Sequence, residues 1–335
     1  MTSKRYLGNI ITDTPTAPTS KADGVASGVW TLAEAFTYAK AGVWPTLSPQ
    51  STGIFAGGLN GDTDIQSITI TTLGNSSDFG DLFLGITYGL AGAASSTRYL
   101  FAGGLDIAAN RLDTIQYGNF FGGTGLDFGD LSSGRDGVAG LSNSTRAVFG
   151  GGGTPTTVNT IDYVTIASTG DATDFGDLTK TTDYARGVAS TTRGVFMGDN
   201  LSGTIQYITI ASTGNATDFG DMSDNVKFFQ GGACSNDTRG IYAGGLTDSG
   251  VVNIIEYITI ASTGDTTDFG DLLSADRYND GVSNSTRAVF LGFAGTDQSE
   301  YVTIATTGNA AEFGDLSGNR VQVGAGTSNS HGGLA

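Results

Sequence analysis

One word recurs along this chain: "SDFGDL" at 77–82, "LDFGDL" at 126–131, "TDFGDL" at 173–178, "TDFGDM" at 217–222, "TDFGDL" at 267–272 and "AEFGDL" at 311–316. Its Phe residues are Phe79, Phe128, Phe175, Phe219, Phe269 and Phe313, with successive differences of 49, 47, 44, 50 and 44. A near-even period in the forties means that each copy is one unit, which hides its apolar face only by stacking on neighbours. The Asp-Phe-Gly triplet also holds metal in kinases. A catalytic group is needed once, however, and the chain has neither a Gly-rich loop leading to a strand Lys nor a His-Arg-Asp loop.

Within one period, "TTDYARGVAS"-type, "STRAVFGGGG"-type, "TIDYVTIAST"-type and "DATDFGDL"-type pieces follow one another, and each reads as a strand. In "YVTI", Tyr163 and Thr165 alternate with Val164 and Ile166, and β-branched residues favour the pleated state. Gly is abundant, at 53 of 335 residues, without the period of collagen; with Asn and Asp it marks turns between strands. In this reading the six Phe are inter-blade core rings, and Asp174 and Asp177 are turn and strand-end residues whose side chains suit local Asx-turns.

The ends specify the closure. The first unit starts at "STGIFAGG" (51–58) without a preceding first strand, and the last "FGDL" is followed by "NRVQVGAGTSNS" (319–330), which matches the missing strand. Four sets of six strands result only if the C-terminal strand joins the N-terminal three, which seals a ring and removes exposed edges. The expected fold is all-β: a six-bladed β-propeller over about residues 51–330, closed by a C-terminal strand completing the first blade. The expected domains are 1–50, an N-terminal anchoring arm with a short helix, and 51–335, the propeller.

Charge and side-chain inventory remove several functions. The net charge of −17 repels nucleic-acid phosphates and anionic membranes, and no apolar run reaches signal-peptide or transmembrane length. The expectation is synthesis in a host cytoplasm, with no nucleic acid and no membrane insertion. With one Cys, Cys234, and one His, His331, the chain offers no disulfide, no ordinary zinc set and no placed catalytic triad. Cys234 reads as a small strand residue and His331 as a plain end-of-chain residue. Asp171, Asp174 and Asp177 lack the ligand spacing of an EF-hand. No catalytic residue, metal site or cofactor is expected.

The repeat "TRAVFGGG…IDYVTIASTGDATDFGDL" resembles kelch-like propeller repeats, and more specifically those of virion proteins of marine bacteriophages such as cyanophages. The double Gly after an aromatic is kelch-like at Phe55-Ala56-Gly57-Gly58, Phe101-Ala102-Gly103-Gly104, Phe149-Gly150-Gly151-Gly152 and Tyr242-Ala243-Gly244-Gly245. It decays to "FMGD" at 196–199 and "FLGF" at 290–293, and the Trp of the usual kelch blade is missing. The resemblance covers about four fifths of the chain. It implies a structural virion component, commonly tail-associated or host-contacting, and supplies no catalytic residue.

Residues 1–50 carry both tryptophans. "TLAEAFTYAKAG" reads as a short helix opened by a Thr31/Glu34 capping box and ended by Gly42, with Leu32, Ala35, Phe36 and Ala39 on one face. Trp30, Leu32, Phe36 and Trp44 are the expected anchoring residues toward other virion proteins, because so small a helix cannot hide them by itself. Packing on the chain's own propeller is the alternative.

Comparing the units with one another separates two faces. Turns after the first and third strands hardly vary, whereas loops after the second strand ("LNGDTD", "LDIAANRLD", "TPTTVNT", "LTDSGVVN") and after the fourth differ throughout. Both variable sets emerge on one face, the expected place for a host surface glycan or protein. Arg98, Arg146, Arg193, Arg239 and Arg287 recur at the start of the second strand. They read as a structural ring, each pairing with an Asp of an "FGD" turn, with a ligand-binding ring as the alternative. The functional expectation is a non-enzymatic, tail-associated virion protein in multiple copies per particle. The alternatives are a capsid decoration protein or a propeller enzyme acting on polysaccharide.

Overall fold

The structure is a computed structural model that describes residues 33, 34, 37, 40, 51–58, 63–198, 203–223, 231–292, 297–317 and 324–334. The chain divides into two units, Met1–Gln50 and Ser51–Ala335. In the first, Ala33, Glu34, Thr37 and Lys40 are helical and exposed, and the Thr37 hydroxyl donates to Ala33 O at 2.8 Å. The expected anchoring residues Trp30, Leu32, Phe36 and Trp44 lie outside the described residues.

The second unit is a six-bladed β-propeller of antiparallel four-stranded sheets. Blade 3 runs from the inside outward as Ala139–Ser142, Arg146–Gly150, Thr160–Thr165 and Thr173–Asp177. Blade 2 is Tyr88–Ala94, Arg98–Leu105, Thr114–Asn119 and Leu126–Asp130, and blade 4 is Arg186–Ala189, Arg193–Met197, Thr204–Thr209 and Thr217–Asp221. Blade 5 is Gly232–Ser235, Arg239–Ala243, Ile254–Thr259 and Thr267–Asp271, and blade 6 is Asp280–Ser283, Arg287–Leu291, Gln298–Thr303 and Ala311–Asp315. Blade 1 takes Thr52–Ala56, Asp64–Thr69 and Ser77–Asp81 from the start of the propeller and its inner strand, Ala325–Ser328, from the end. That strand pairs antiparallel with Thr52–Ala56, from Gly53 opposite Ser328 to Ala56 opposite Ala325, so the ring closes as the strand count requires.

The recurring word is a β-bulge. In blade 3, Asp162 faces Asp174 and Ile161 faces Gly176, leaving Phe175 as the extra residue on the outer strand. The same shift occurs in all six blades, so Phe79, Phe128, Phe219, Phe269 and Phe313 are each the unpaired residue. A bulge bends the strand and re-aims a side chain. Five of these rings are thereby buried, while Phe79 remains half-buried. Phe175 packs in a cluster that spans two blades, with Leu141 and Ile161 of blade 3 and Ile208 and Ile210 of blade 4.

The Gly that follows the Phe forms the seam between blades. Gly176 has φ +143°, and a Cβ placed there would lie 2.6 Å from the carbonyl of Gly214 in the next blade. Gly80, Gly129, Gly220, Gly270 and Gly314 meet Gly123, Gly170, Gly264, Gly308 and Gly74 in the same way, which completes a circle. The approach lets the backbone bond across: Gly214 N donates to Phe175 O at 2.7 Å and Ala216 N to Asp177 O at 2.8 Å. In five seams a side-chain oxygen adds a third bond, as when Asp177 N donates to Asn215 Oδ1 at 3.1 Å. The turn Asp or Asn therefore serves the neighbouring blade; Asp171 Oδ1 accepts from Asp130 N at 3.1 Å.

Gly176→Ala should destabilise the propeller by about 3 kcal/mol or more, from strain at positive φ together with the blocked carbonyl approach. Gly170→Ala, at φ +151° with nothing within 4 Å of the added Cβ, should cost about 1 kcal/mol. Urea unfolding of both variants against the wild type measures the difference; equal losses would assign the whole effect to φ.

Candidate interaction site

The axis of a propeller is the first place to look for a ligand. Here Gly92, Gly140, Gly187, Gly281 and Gly326 on the inner strands bring backbones so close that the axial space holds about 60 Å³. Ligand pockets usually measure ~300–1,000 Å³, so this space suits a few waters. One mouth is occupied by the chain's own end, where Gly332–Leu334 form a 3₁₀ turn. Gly333 N donates to His331 Nδ1 at 3.1 Å, which puts the imidazole proton on Nε2, facing Ala94 O at 3.1 Å and Ser142 Oγ at 3.2 Å. Burial pushes the His331 imidazolium down to about 4, against the opposing pull of Ala94 O. Cys234, also beside the axis, is buried in the inner strand of blade 5, and its thiol is pushed up by desolvation.

The five recurring arginines make interblade clamps of a kind different from the expected Asp pairs. Arg146 lies over the Tyr163 ring with its guanidinium carbon 4.5 Å from the centroid, and one N–H reaches Ile210 O of the next blade at 3.1 Å. Arg98, Arg193, Arg239 and Arg287 stack on Tyr117, Tyr207, Tyr257 and Tyr301 at 4.4–4.6 Å and donate to Ile166 O, Ile260 O, Ile304 O and Ile70 O. The reason is register. Arg146 sits opposite Thr165, so Tyr163 is its diagonal neighbour and takes the face of the guanidinium. Each Tyr in turn meets the bulge Phe edge-on, at 5.6–6.1 Å.

Blade 1 breaks this frame. Thr52 stands at the Arg position and Ser67 at the Tyr position. The turn of blade 2 that meets blade 1 is also a residue shorter, with Tyr117 and Phe128 eleven apart where Tyr163 and Phe175 are twelve apart, and Thr124 replaces the bonding Asp or Asn. An aromatic cluster holds this seam instead: Tyr99 meets Phe79 at 6.2 Å, Phe101 at 5.6 Å and Phe120 at 5.9 Å. Blades 1 and 2 also carry most of the exposed large hydrophobic residues, Leu73 and Phe121 in turns of one face and Phe83, Leu84, Tyr88 and Ile107 in or next to connections of the other. Of nine exposed large hydrophobic residues among the described ones, seven fall between residues 73 and 126: Leu73, Phe83, Leu84, Tyr88, Ile107, Phe121 and Leu126. Phe121 and Ile107 are 78% and 77% exposed. Ile107 is presented on an ordered loop, since Asp106 Oδ1 accepts from Ala108 N and Asn110 N, both at 2.8 Å.

The variable face also carries built structure. Small hairpins, Gly153–Thr154 with Thr156–Thr157 and Leu246–Thr247 with Gly250–Val251, extend the loops of blades 3 and 5. Arg111 Nε bonds Asp136 Oδ1 at 2.5 Å, and Tyr184 OH donates to Asp136 Oδ2 at 3.2 Å, tying together loops of blades 2, 3 and 4.

Sequence reasoning missed a second interblade ring. Gln66, Gln116, Asp162, Gln206, Glu256 and Glu300 are buried at one frame position of the third strand. Gln116 Oε1 accepts from Leu84 N at 2.7 Å, Gln206 Oε1 from Thr179 N at 2.6 Å and Glu300 Oε2 from Leu273 N at 2.9 Å, each capping the segment that leaves the preceding blade. In blade 3 the shorter Asp162 is completed by fully buried Arg135, bonded to Asp162 Oδ2 at 2.6 Å and to Gly151 O at 2.7 Å. The signal was legible, since every unit has Gln, Asp or Glu just before the Tyr or Ser.

No family model and no curated protein matches the chain. Among the described residues no three His, Cys, Asp or Glu gather as a metal set, and no helix is long and apolar enough to cross a membrane.

Arg146→Ala should cost about 2 kcal/mol, since it removes a charge-assisted hydrogen bond and a cation–π contact, and Arg146→Lys about half of that. Urea midpoints at unchanged m give the test. For His331 the folded value lies below the ordinary 6.5, so the stability of the neutral ring is fully present above about pH 6.5 and is lost as pH falls through about 4. Thermal melts from pH 8 to pH 4 should show the wild type above His331→Gln at pH 8 and the gap closing toward pH 4.

Proposed function

We propose that this chain is a non-enzymatic structural protein of a bacteriophage particle, held in the tail by residues 1–50 and presenting its propeller to the host surface or to a neighbouring virion protein. A propeller is compatible with an interaction role, since rigid blades carry loops that can vary without disturbing the core. The observation that carries the reading is the exposed apolar side chains of blades 1 and 2. Seven of the nine exposed large hydrophobic residues among the described ones belong to the two blades that directly follow residues 1–50 in the chain, on both faces, and exposed apolar side chains in such number favour a contact role for these blades. The virion assignment draws on the resemblance of the repeat phrases to phage propeller proteins. Host recognition is assigned to the variable-loop face.

Cryo-EM of purified particles, beside a variant lacking residues 1–50, tests the proposal. Density on the tail, and a shortened chain that folds but stays off the particle, is the expected result. Density on the capsid would replace attachment by decoration, and particles without this protein would end the virion reading. Phe121→Ser with Leu126→Ser should leave the thermal midpoint within a few degrees and weaken particle or host contact.

A further inference from the structure

Five blades show what the seam at the start of the second strand holds: an Arg guanidinium lying on a Tyr ring, with an N–H on a carbonyl of the next blade. At blade 1 the two side chains are replaced by Thr52 and Ser67, and the facing turn is a residue shorter, but the bulge Phe and the facing carbonyl are retained. Phe79 stands where the other bulge rings stand, and Phe120, whose N–H accompanies Thr97 O at 3.4 Å, stands where Ile166 accompanies Thr145 O. No described side chain donates to the Phe120 carbonyl, which is the counterpart of the five carbonyls that receive an arginine. The outcome is a pocket of about 380 Å³ lined by Thr52, Ser67, Ser77, Phe79 and Phe120 among others, with no charged residue among the described residues of its wall. It reaches solvent through exposed Leu73, Asn75 and Ser77. Phe79 is accordingly half-buried where its five counterparts are buried.

We propose that this seat binds the guanidinium of an arginine side chain presented by a partner protein. Its polar lining offers hydroxyls, the Phe120 carbonyl and, at the rim, the Asn75 amide, whose oxygen already accepts from Asp315 N; the hydroxyl and carbonyl oxygens suit a donor-only group, and Phe79 supplies the aromatic wall. A net charge of −17 draws a basic partner surface toward the chain. Exposed Leu73 at the rim and Phe121 beside Phe120 offer apolar contact to the arginine stem and its flanking residues. Lysine fits less well, because a compact ammonium cannot lie flat on a ring while reaching a carbonyl in the plane of the group. The proposal deepens the reading of the blade 1–2 seam as a contact surface and rests on it; the test below reads the seat alone, so it can fail while particle attachment stands.

The probes are Nα-acetyl-arginine methylamide and its lysine and citrulline counterparts, titrated into the full chain at low salt, with maltose as a neutral sugar. Saturable binding of the arginine probe, at least about tenfold tighter than the others, is expected. Two substitutions should act in opposite directions. Ser67→Tyr restores the missing platform and should tighten arginine binding severalfold, a gain that misfolding cannot produce, whereas Thr52→Arg fills the seat from within and should abolish binding without lowering the thermal midpoint. Absence of saturable binding to the wild type, equal binding of the three amino-acid probes, maltose binding in their place, or unaltered arginine binding in folded Thr52→Arg would each overturn the proposal.

Discussion

A close backbone approach repeated at every seam, the outer-strand Gly of one blade against the turn Gly of the next, is the contact on which the ring depends. It leaves no room for a side chain, and it allows hydrogen bonds from Gly214 N to Phe175 O and from Ala216 N to Asp177 O to form across a seam that would otherwise be two sheet edges. An exposed sheet edge is a liability because its unpaired N–H and C=O groups invite another strand. In this propeller each outer edge is instead used by the neighbouring turn. The bulge that places the Gly also turns the Phe inward, so one local irregularity provides both the polar and the apolar half of the joint.

Once that seam exists, the other interblade contacts fall into register on it. The Arg–Tyr clamps lie near the turns, and the buried Gln, Asp and Glu side chains lie at the start of the third strand, where they receive the backbone leaving the preceding blade. Both couple blades through groups whose partner is a main-chain atom, and a main-chain partner survives every substitution of its own residue except, for an N–H, proline. That explains how the second-strand tails and the variable loops can drift from unit to unit while the blades keep one geometry. Blade 3 shows the tolerance: Asp162, in place of a longer side chain, still accepts from Ser132 N at 3.1 Å, and Arg135 pairs with it while donating to Gly151 O and Thr160 O.

Much of this was legible in the sequence because periodicity reports the unit and the counting of strands reports the closure; Ala325–Ser328 beside Thr52–Ala56 follows from both. What the sequence hid were relations across a seam. Asp171 and Asn215 look like residues of their own turns, since local Asx geometry is the commonest use of such side chains, yet they bond Asp130 N and Asp177 N of the preceding blade. The arginines look like partners for the nearby carboxylates. Strand register sets Tyr163 diagonal to Arg146, and that decides the matter for the ring and the carbonyl. The blade 1 pocket was invisible as a motif because it consists of two residues, Thr52 and Ser67, that are ordinary in themselves and unusual only against five other copies.

That departure falls in the blade that closes the ring. Blade 1 is the one blade assembled from both ends of the propeller, and its second strand is held by the C-terminal strand, by Asn329 Oδ1 on Thr52 N at 2.9 Å and by Ser330 on Ser51 at 2.9 Å. The bond to Thr52 N recurs in clamped blades, as from Arg146 N to Asn143 Oδ1, so it is the packing of Tyr99 among Phe79, Phe101 and Phe120 that holds the seam without an Arg clamp. Local rules in a repeat protein are relaxed where another interaction carries the load or where a site is needed. Here the first condition is met by the Tyr99 cluster, and exposed Leu73 and Phe121 in the two turns at the same seam indicate the second.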